Sequence, residues 1–249
     1  MPKLMGKDEH QTHQTLHGFQ FSAAKVETLG ASDYTIVTVV QDKSGSVSSF
    51  STDMEATLQK IIEACQKSPR SQNLLIRLVT FNDDVQEVHG FVELNNINAG
   101  QYSGVLDKCY GSTALNDASL NSAEAIEAYG QQLSSMDFRS NAVMFVITDG
   151  QDNVSVVARD PAVLKKAFKK IKTSEIVESF QTVLVGVGTD PNIISDLKKF
   201  KDDAGFDQFV EMGAATPSKL AKLADFISKS ISSTSQALGT GQPSQPLTF

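Results

Sequence analysis

The chain has 249 residues, 40% of them hydrophobic, with 16 Gly, 7 Pro, 2 Cys and a formal net charge of −7. This length can bury the core of one α/β domain, and the composition excludes collagen-like, low-complexity and disulfide-scaffold classes. The acidic balance excludes a nucleic-acid partner, because the one dense basic cluster, Lys165, Lys166, Lys169 and Lys170, has the spacing of a helix's wet face.

From Met1 to Gly18 the chain is polar and carries three of the four histidines. His10, His13 and His17 fall at i, i+3 and i+7, which approaches one face only in a helix. Without an apolar stripe, a solvated leader is expected there, not a zinc site. The same stretch lacks the apolar core of a secretory signal, and no run is long enough to cross a bilayer. A cytoplasmic location without membrane contact is therefore expected, with a phage virion as the alternative. Phe19 to Gly30 is mixed and suits a short strand or an ordered arm.

Tyr34 to Gln41 (YTIVTVVQ) is β-branched and apolar almost throughout, the pattern of a strand buried on both faces of a parallel sheet. A polar turn, DKSGSVSSF, leads to a helix over about Thr52 to Lys67, with Met54, Leu58, Ile61, Ile62 and Cys65 as its buried stripe. Leu74 to Phe81 and Val85 to Leu94 are the next strands. The short link Asn82-Asp83-Asp84 permits only a hairpin, so these two run antiparallel. His89, alone in the second of them, is expected on the sheet surface.

A loop-rich stretch then precedes a helix from about Leu115 to Leu133, and Ala142 to Thr148 is another continuous apolar strand. Pro161 opens a helix to about Ser174, and Gln181 to Gly188 is a strand. Gly186-Val187-Gly188 is half of a dinucleotide fingerprint in the wrong place, so close packing is the expected reason for its glycines. A helix over Pro191 to Lys201 and a short strand over Gln208 to Met212 follow. Thr216 and Pro217 suit the N-cap and first position of the last helix, and the sequence from Leu238 has linker composition. Cys65 and Cys109 lie far apart without CxxC spacing, so two buried thiols are expected over a disulfide, although spacing alone leaves a bridge open.

Strands alternating with helices imply a doubly wound α/β domain: a mostly parallel six-stranded sheet with one antiparallel strand and helices on both faces. The expected division is an N-terminal arm over 1–31, the domain over 32–236 and a tail over 237–249. Ligands of such sheets bind beyond the C-terminal ends of the strands. Asp42 and Asp149 stand at two such ends.

Asp42, Ser44 and Ser46 form a D-x-S-x-S loop after the first core strand, with Gly45 expected to let it turn tightly. One carboxylate and two hydroxyls are hard oxygen ligands, suited to Mg²⁺ or Mn²⁺ and poorly to zinc. Serines after a strand also serve as helix caps. Gly111-Ser112-Thr113-Ala114-Leu115 sets a further hydroxyl before a helix, and Thr148-Asp149-Gly150 sets a carboxylate at a strand end.

In this order and at these separations, the three segments resemble the metal-ion-dependent adhesion site of von Willebrand factor A domains, also called integrin I-type domains. The resemblance spans about Ser32 to Ser235. It implies that Ser44, Ser46 and Thr113 present hydroxyls to the metal, while Asp42 and Asp149 act through bound waters or by orienting those hydroxyls. It also implies a non-catalytic adaptor or adhesion module, in which an Asp or Glu of a protein partner takes the cation's open position. Stand-alone members of bacterial or phage type are similar, and they imply self-assembly, AAA+ ATPases or stress-response complexes as partner classes. Val47, Ser48, Ser49 and Phe50 occupy positions where some integrin relatives carry extra acids, so one metal is expected. Asp117 and Asp152 are expected in helix-surface or turn roles, with the rim of the site as the alternative.

Two rival readings remain at this level. A structural subunit would pack through its flat faces and its Pro/Ser-containing tail. A phosphatase or phosphotransfer enzyme would need a second acid near Asp42, and Ser44 stands there instead.

Overall fold

The computed structural model describes residues 10–242 and 248–249. The first nine residues of the polar leader and residues 243–247 of the tail lie outside them. In chain order the elements are β1 (His10–Gln14), β2 (Gln20–Ala24), β3 (Asp33–Asp42), α1 (Ser51–Gln66), β4 (Leu74–Phe81), β5 (Val85–Glu93), α2 (Leu115–Ser135), β6 (Arg139–Thr148), α3 (Ala162–Thr173), β7 (Ser179–Val187), α4 (Pro191–Ala204), β8 (Gln208–Gly213) and α5 (Pro217–Thr240). The strands form one sheet in the order β1-β2-β5-β4-β3-β6-β7-β8.

β3 lies at the centre, parallel to β4 on one side and β6 on the other. All of its residues are buried. Ile36 and Val40 enter the core beneath α2, α3 and α4, while Val37 and Val39 enter the core beneath α1 and α5. Alternation along an extended backbone thus feeds two apolar layers from one strand, which is why the strand reads as continuously hydrophobic. The β4–β5 hairpin is antiparallel, as its short link requires.

The sheet has eight strands where six were expected. The additional two, β1 and β2, form an antiparallel hairpin, and β2 meets β5 in parallel at Ala23 and Phe91. Phe21 and Ala23 are buried, with the Phe21 ring edge-on to Phe91 at 6.1 Å. The polar residues between them are held as firmly. Ser22 donates through its N–H and its hydroxyl to Glu87 Oε1 at 2.9 and 2.6 Å. Glu87 Oε2 accepts from Nε of the fully buried Arg77 at 2.7 Å, and Arg77 Nη2 donates to Asn121 Oδ1 on α2 at 2.9 Å. A buried guanidinium is tolerated only with such partners.

β1 places His10 and His13 three residues apart in a strand, which sends them to opposite faces. His17 instead bonds Glu124 of α2 through both its backbone N–H and Nδ1. No shared imidazole face exists in this segment.

Other differences follow from coverage that only the fold supplies. His89 is buried, not on the sheet surface, because the segment over 94–106 covers β5. Its Nδ1 donates to the Gly90 carbonyl at 2.9 Å and its Nε2 accepts from the Tyr102 hydroxyl at 2.7 Å. Burial pushes its pKa down to about 4, so the ring is neutral. α5 runs past the start of the linker-like sequence: Leu238 is buried within it, and Gly241 ends it at φ 68°. Gly186 has the packing role expected of it, since a Cβ would stand 2.8 Å from Phe209 Cζ. The lysines of α3 lie on its exposed face. Cys65 and Cys109 are both free, the first buried and the second half-buried. No helix among the described residues is long and apolar enough to cross a membrane.

The N-terminal hairpin depends on one glycine. A Cβ on Gly90 would lie 1.8 Å from the Ser22 carbonyl oxygen, a backbone atom that cannot swing away. Gly90→Ala is expected to lower stability by about 1–3 kcal/mol, read as a lower urea midpoint, with faster amide exchange in β1 and β2. Unchanged exchange there would show that the close approach is unimportant.

Candidate metal centre

Asp42 ends the central strand, so its side chain emerges where β4 and β6 diverge into their own loops. It is fully buried. Its Oδ1 accepts the Ser44 N–H at 2.7 Å, an Asx-type turn that sends the chain back over the strand end, and its Oδ2 accepts the Thr148 hydroxyl at 2.6 Å. Ser44 Oγ lies 3.2 Å from Ser46 Oγ, and the Ser46 hydroxyl donates to Asp149 Oδ1 at 2.7 Å. The four predicted residues Asp42, Ser44, Ser46 and Asp149 therefore form one connected polar cluster. It runs from the buried Asp42 to the exposed Ser46. Neither serine caps a helix through its side chain: Ser44 stands at the N-cap position of the short 3-10 helix over Gly45–Ser49 without a side-chain bond, and α1 has Phe50 at its N-cap position.

Thr113 completes the set. Its side chain is buried, and its hydroxyl borders Gly150, whose added Cβ would sit 3.6 Å from it. The backbone around it is stitched to both other segments. Tyr110 donates its N–H to the Lys43 carbonyl at 3.2 Å, and Gly45 donates to the Gly111 carbonyl at 3.3 Å. Ser112 N–H reaches Asp83 Oδ1 at 2.8 Å, and Thr113 N–H reaches Asn153 Oδ1 at 2.8 Å. The tight turn belongs to Gly111, at φ 77° with a Cβ position only 2.1 Å from Asp83 Oδ2, and not to Gly45, whose φ is not positive.

α2 starts at Leu115 behind Ala114, which has no side chain to cap it. The loop after β6 supplies the caps. Asp152 Oδ1 accepts the Asn116 N–H at 3.1 Å, and Ser155 Oγ accepts the Asp117 N–H at 3.0 Å. In return, the Asp117 carboxylate accepts the N–H groups of Val156, Val157 and Ala158 at 2.7–3.3 Å. Asp117 is thus buried and holds the loop after β6, where a helix-surface or turn role was expected. Asp152 does have a turn role, through Ser155 and the helix end. Sequence reasoning did not single out Thr148, Asp83, Asn153 or Ser155, whose function is apparent only through partners 29 to 106 positions away.

The electrostatics favour a cation. Burial pushes the Asp42 pKa up to about 6 against the opposing hydrogen bonds of Thr148 and Ser44, and the nearby Asp149 charge adds to the rise. Burial likewise raises the pKa of Asp149, opposed by the Ser46 hydroxyl. Neither carboxylate has a Lys, Arg or His partner among the described residues. No group of three His, Cys, Asp or Glu side chains that could hold a metal occurs among the described residues, so a cation here depends on hydroxyl oxygens as well as the two acids. Such a donor set fits a hard divalent ion.

The sequence profile of the von Willebrand factor type A domain matches residues 36–225. No curated protein sequence matches. Among solved structures, proximal thread matrix protein 1 from the mussel byssus superposes with a TM-score of 0.52 at 18% identity, over 81% of this chain and 46% of that one. A second structure of that protein is described as having a zinc-occupied metal-ion-dependent adhesion site (TM-score 0.51, 17% identity, the same coverage). The PilB minor pilin of Streptococcus sanguinis gives a TM-score of 0.60 at 14% identity, over 91% of this chain and 67% of that one. The chain spans about half the length of the byssus protein, and at these identities the likeness is one of fold.

An uncompensated buried carboxylate has a thermodynamic signature. Between its unfolded value near 3.8 and its folded value near 6, Asp42 binds its proton more tightly in the folded chain. The stability it contributes is therefore present at low pH and lost as pH rises through about 6. In metal-free protein at about pH 7.5, Asp42→Asn is expected to raise stability by roughly 1–3 kcal/mol, with the gain vanishing near pH 4. Urea melts across pH would check this, and a destabilised variant at neutral pH would contradict it. Asp117→Ala is expected to cost about 2–4 kcal/mol and to speed amide exchange at 156–158.

Proposed function

This chain belongs to the von Willebrand factor type A family, and we propose that it is a divalent-metal-dependent protein-binding module that engages an Asp or Glu of its partner. The observation that carries this reading is the convergence of Asp42, Ser44, Ser46 and Asp149 in one hydrogen-bonded cluster, with Thr113 bordering Gly150 and no cationic side chain among the described residues paired to either acid. Ser44, Ser46 and Thr113 would hold the ion, with Asp42 and Asp149 orienting the hydroxyls or acting through water. Mg²⁺ or Mn²⁺ suits these oxygens best. A cation held mainly by neutral hydroxyls keeps positive charge to offer, and a partner's carboxylate completes its coordination.

The chain's own residues disfavour catalysis at this site. Asp42 is fully buried and both of its oxygens accept hydrogen bonds, so it is not presented to a substrate as a nucleophile. Ser44 stands where a phosphatase would need an acid. Ser46 and Asp149, at the open side, suit contact with another molecule. The matrix-protein and pilin neighbours support an interaction role at the level of fold.

Calorimetric titration with Mg²⁺ tests the metal directly. Saturable heat is expected for the wild-type chain at about pH 7.5, lost in Asp42→Ala and in Thr113→Ala, and weakened near pH 5 as Asp42 takes its proton. Equal heats in all three proteins would end the reading.

A further inference from the structure

A cleft of about 200 Å³ opens beside the candidate metal centre, at the C-terminal ends of β6 and β7. Asp149 stands in its wall while accepting the Ser46 hydroxyl at 2.7 Å, and Phe50, also in the wall, closes the loop that begins at Asp42. The cleft and the candidate centre thus share a carboxylate and a loop. A segment that brings an acid to one lies directly against the other.

The rest of the lining is mostly apolar. Val187 and Ile194 form buried parts of the wall, while Phe50, Ile193 and Ala215 are half-buried. Phe50 and Ala215 pack on the core beneath α1 and α5, and Ile193 on the core beneath α2, α3 and α4, so the cleft straddles the sheet end where its two layers part. Gly188, at φ 118°, adds no side chain, and nothing lies within 4 Å of where its Cβ would stand. Backbone donors here are already engaged. The Gly188 N–H reaches the Gly213 carbonyl at 2.8 Å, and the Ile194 N–H reaches the Asp190 carbonyl at 3.0 Å.

Size and charge limit the occupant. Sites for cofactors and drug-sized ligands commonly measure about 300–1,000 Å³, so this cleft suits a single side chain. Asp149 and Asp190 oppose a carboxylate, and among the described residues no Lys, Arg or His in the wall offsets them. A Lys or Arg could pair with Asp190, but that residue is exposed, where an ion pair adds little. Near Asp149 the same cation would be repelled by an ion in the metal centre. An aliphatic side chain withdraws its own surface and that of Phe50, Ile193 and Ala215 from water, which is the larger gain.

We propose that this cleft takes a leucine-sized aliphatic side chain from the same partner segment that offers its Asp or Glu to the candidate metal centre. The inference rests on the metal-dependent reading above.

Fluorescein-labelled peptides test it, each with one Asp in a Gly/Ser background and with Leu, Lys, Glu or Ala placed one to four residues to either side. Anisotropy titrations with the full chain in Mg²⁺ and in EDTA give the affinities. In Mg²⁺ the best-placed Leu peptide is expected to bind about tenfold more tightly than its Ala counterpart. Because this ratio is taken within one protein, a variant that alters metal binding alone does not move it. Ile193→Ser, which removes apolar wall, and Ala215→Leu, which fills the space, are each expected to bring the ratio close to one. A ratio near one in the wild-type chain at every spacing, Lys or Glu as the tightest binder, or a tenfold ratio that survives in either variant overturns the cleft proposal and leaves the metal reading standing. A Leu advantage undiminished in EDTA also overturns it, because the cleft would then act apart from the acid. If no peptide shows Mg²⁺-dependent binding, the Ala control included, both inferences fall together.

Discussion

A carboxylate buried at the end of the central strand is the constraint around which this molecule is arranged. Asp42 has no exposed surface, and its charge resists that burial enough to move its pKa to about 6. The chain meets this cost only in part, with a backbone N–H from Ser44 and a hydroxyl from Thr148. Those contacts fix where the D-x-S-x-S loop turns and where β6 must end. The remaining imbalance, two acids with hydroxyls between them, is what makes a divalent ion the natural complement.

The loops of the candidate site come from three separate stretches of chain, yet they behave as one unit because each supplies what another lacks. Ala114 cannot cap α2, so the loop after β6 caps it through Asp152 and Ser155. That loop has free N–H groups of its own, which Asp117 gathers from the first turn of α2. Mutual satisfaction of this kind holds donor atoms in place without a regular element beneath each of them. It also ties the cluster to α2, and α2 in turn to the N-terminal hairpin directly through Glu124 with His17 and indirectly through Asn121, Arg77 and Glu87 to Ser22.

The same fold serves in a mussel thread matrix protein and a streptococcal pilin. One of these has been seen with zinc in its metal-ion-dependent adhesion site, although hydroxyl-rich donor sets favour harder ions. Ion identity in such a site depends on the supply of metal as well as on donor chemistry.

The strands and helices were legible along the chain because each carries a local period. β3, β4 and β6 are predominantly apolar in their central stretches, and the stripe from Met54 to Cys65 repeats at helical spacing. The residues of the candidate site were legible because the loop chemistry sits in short contiguous motifs. His89, Asp117, Leu238 and β1 were not, since their environment is made by segments distant in sequence, whereas β2 falls within the stretch Phe19 to Gly30 that suits a short strand. A polar strand such as HQTHQ has no apolar alternation to announce it, and it pairs with β2, which Gly90 lets approach β5. By itself, then, the sequence determined which stretches extend, which coil and which side chains can offer oxygen to a cation. Tertiary structure alone decided which polar groups are buried and who satisfies them, because desolvation depends on what covers a residue and not on what precedes it.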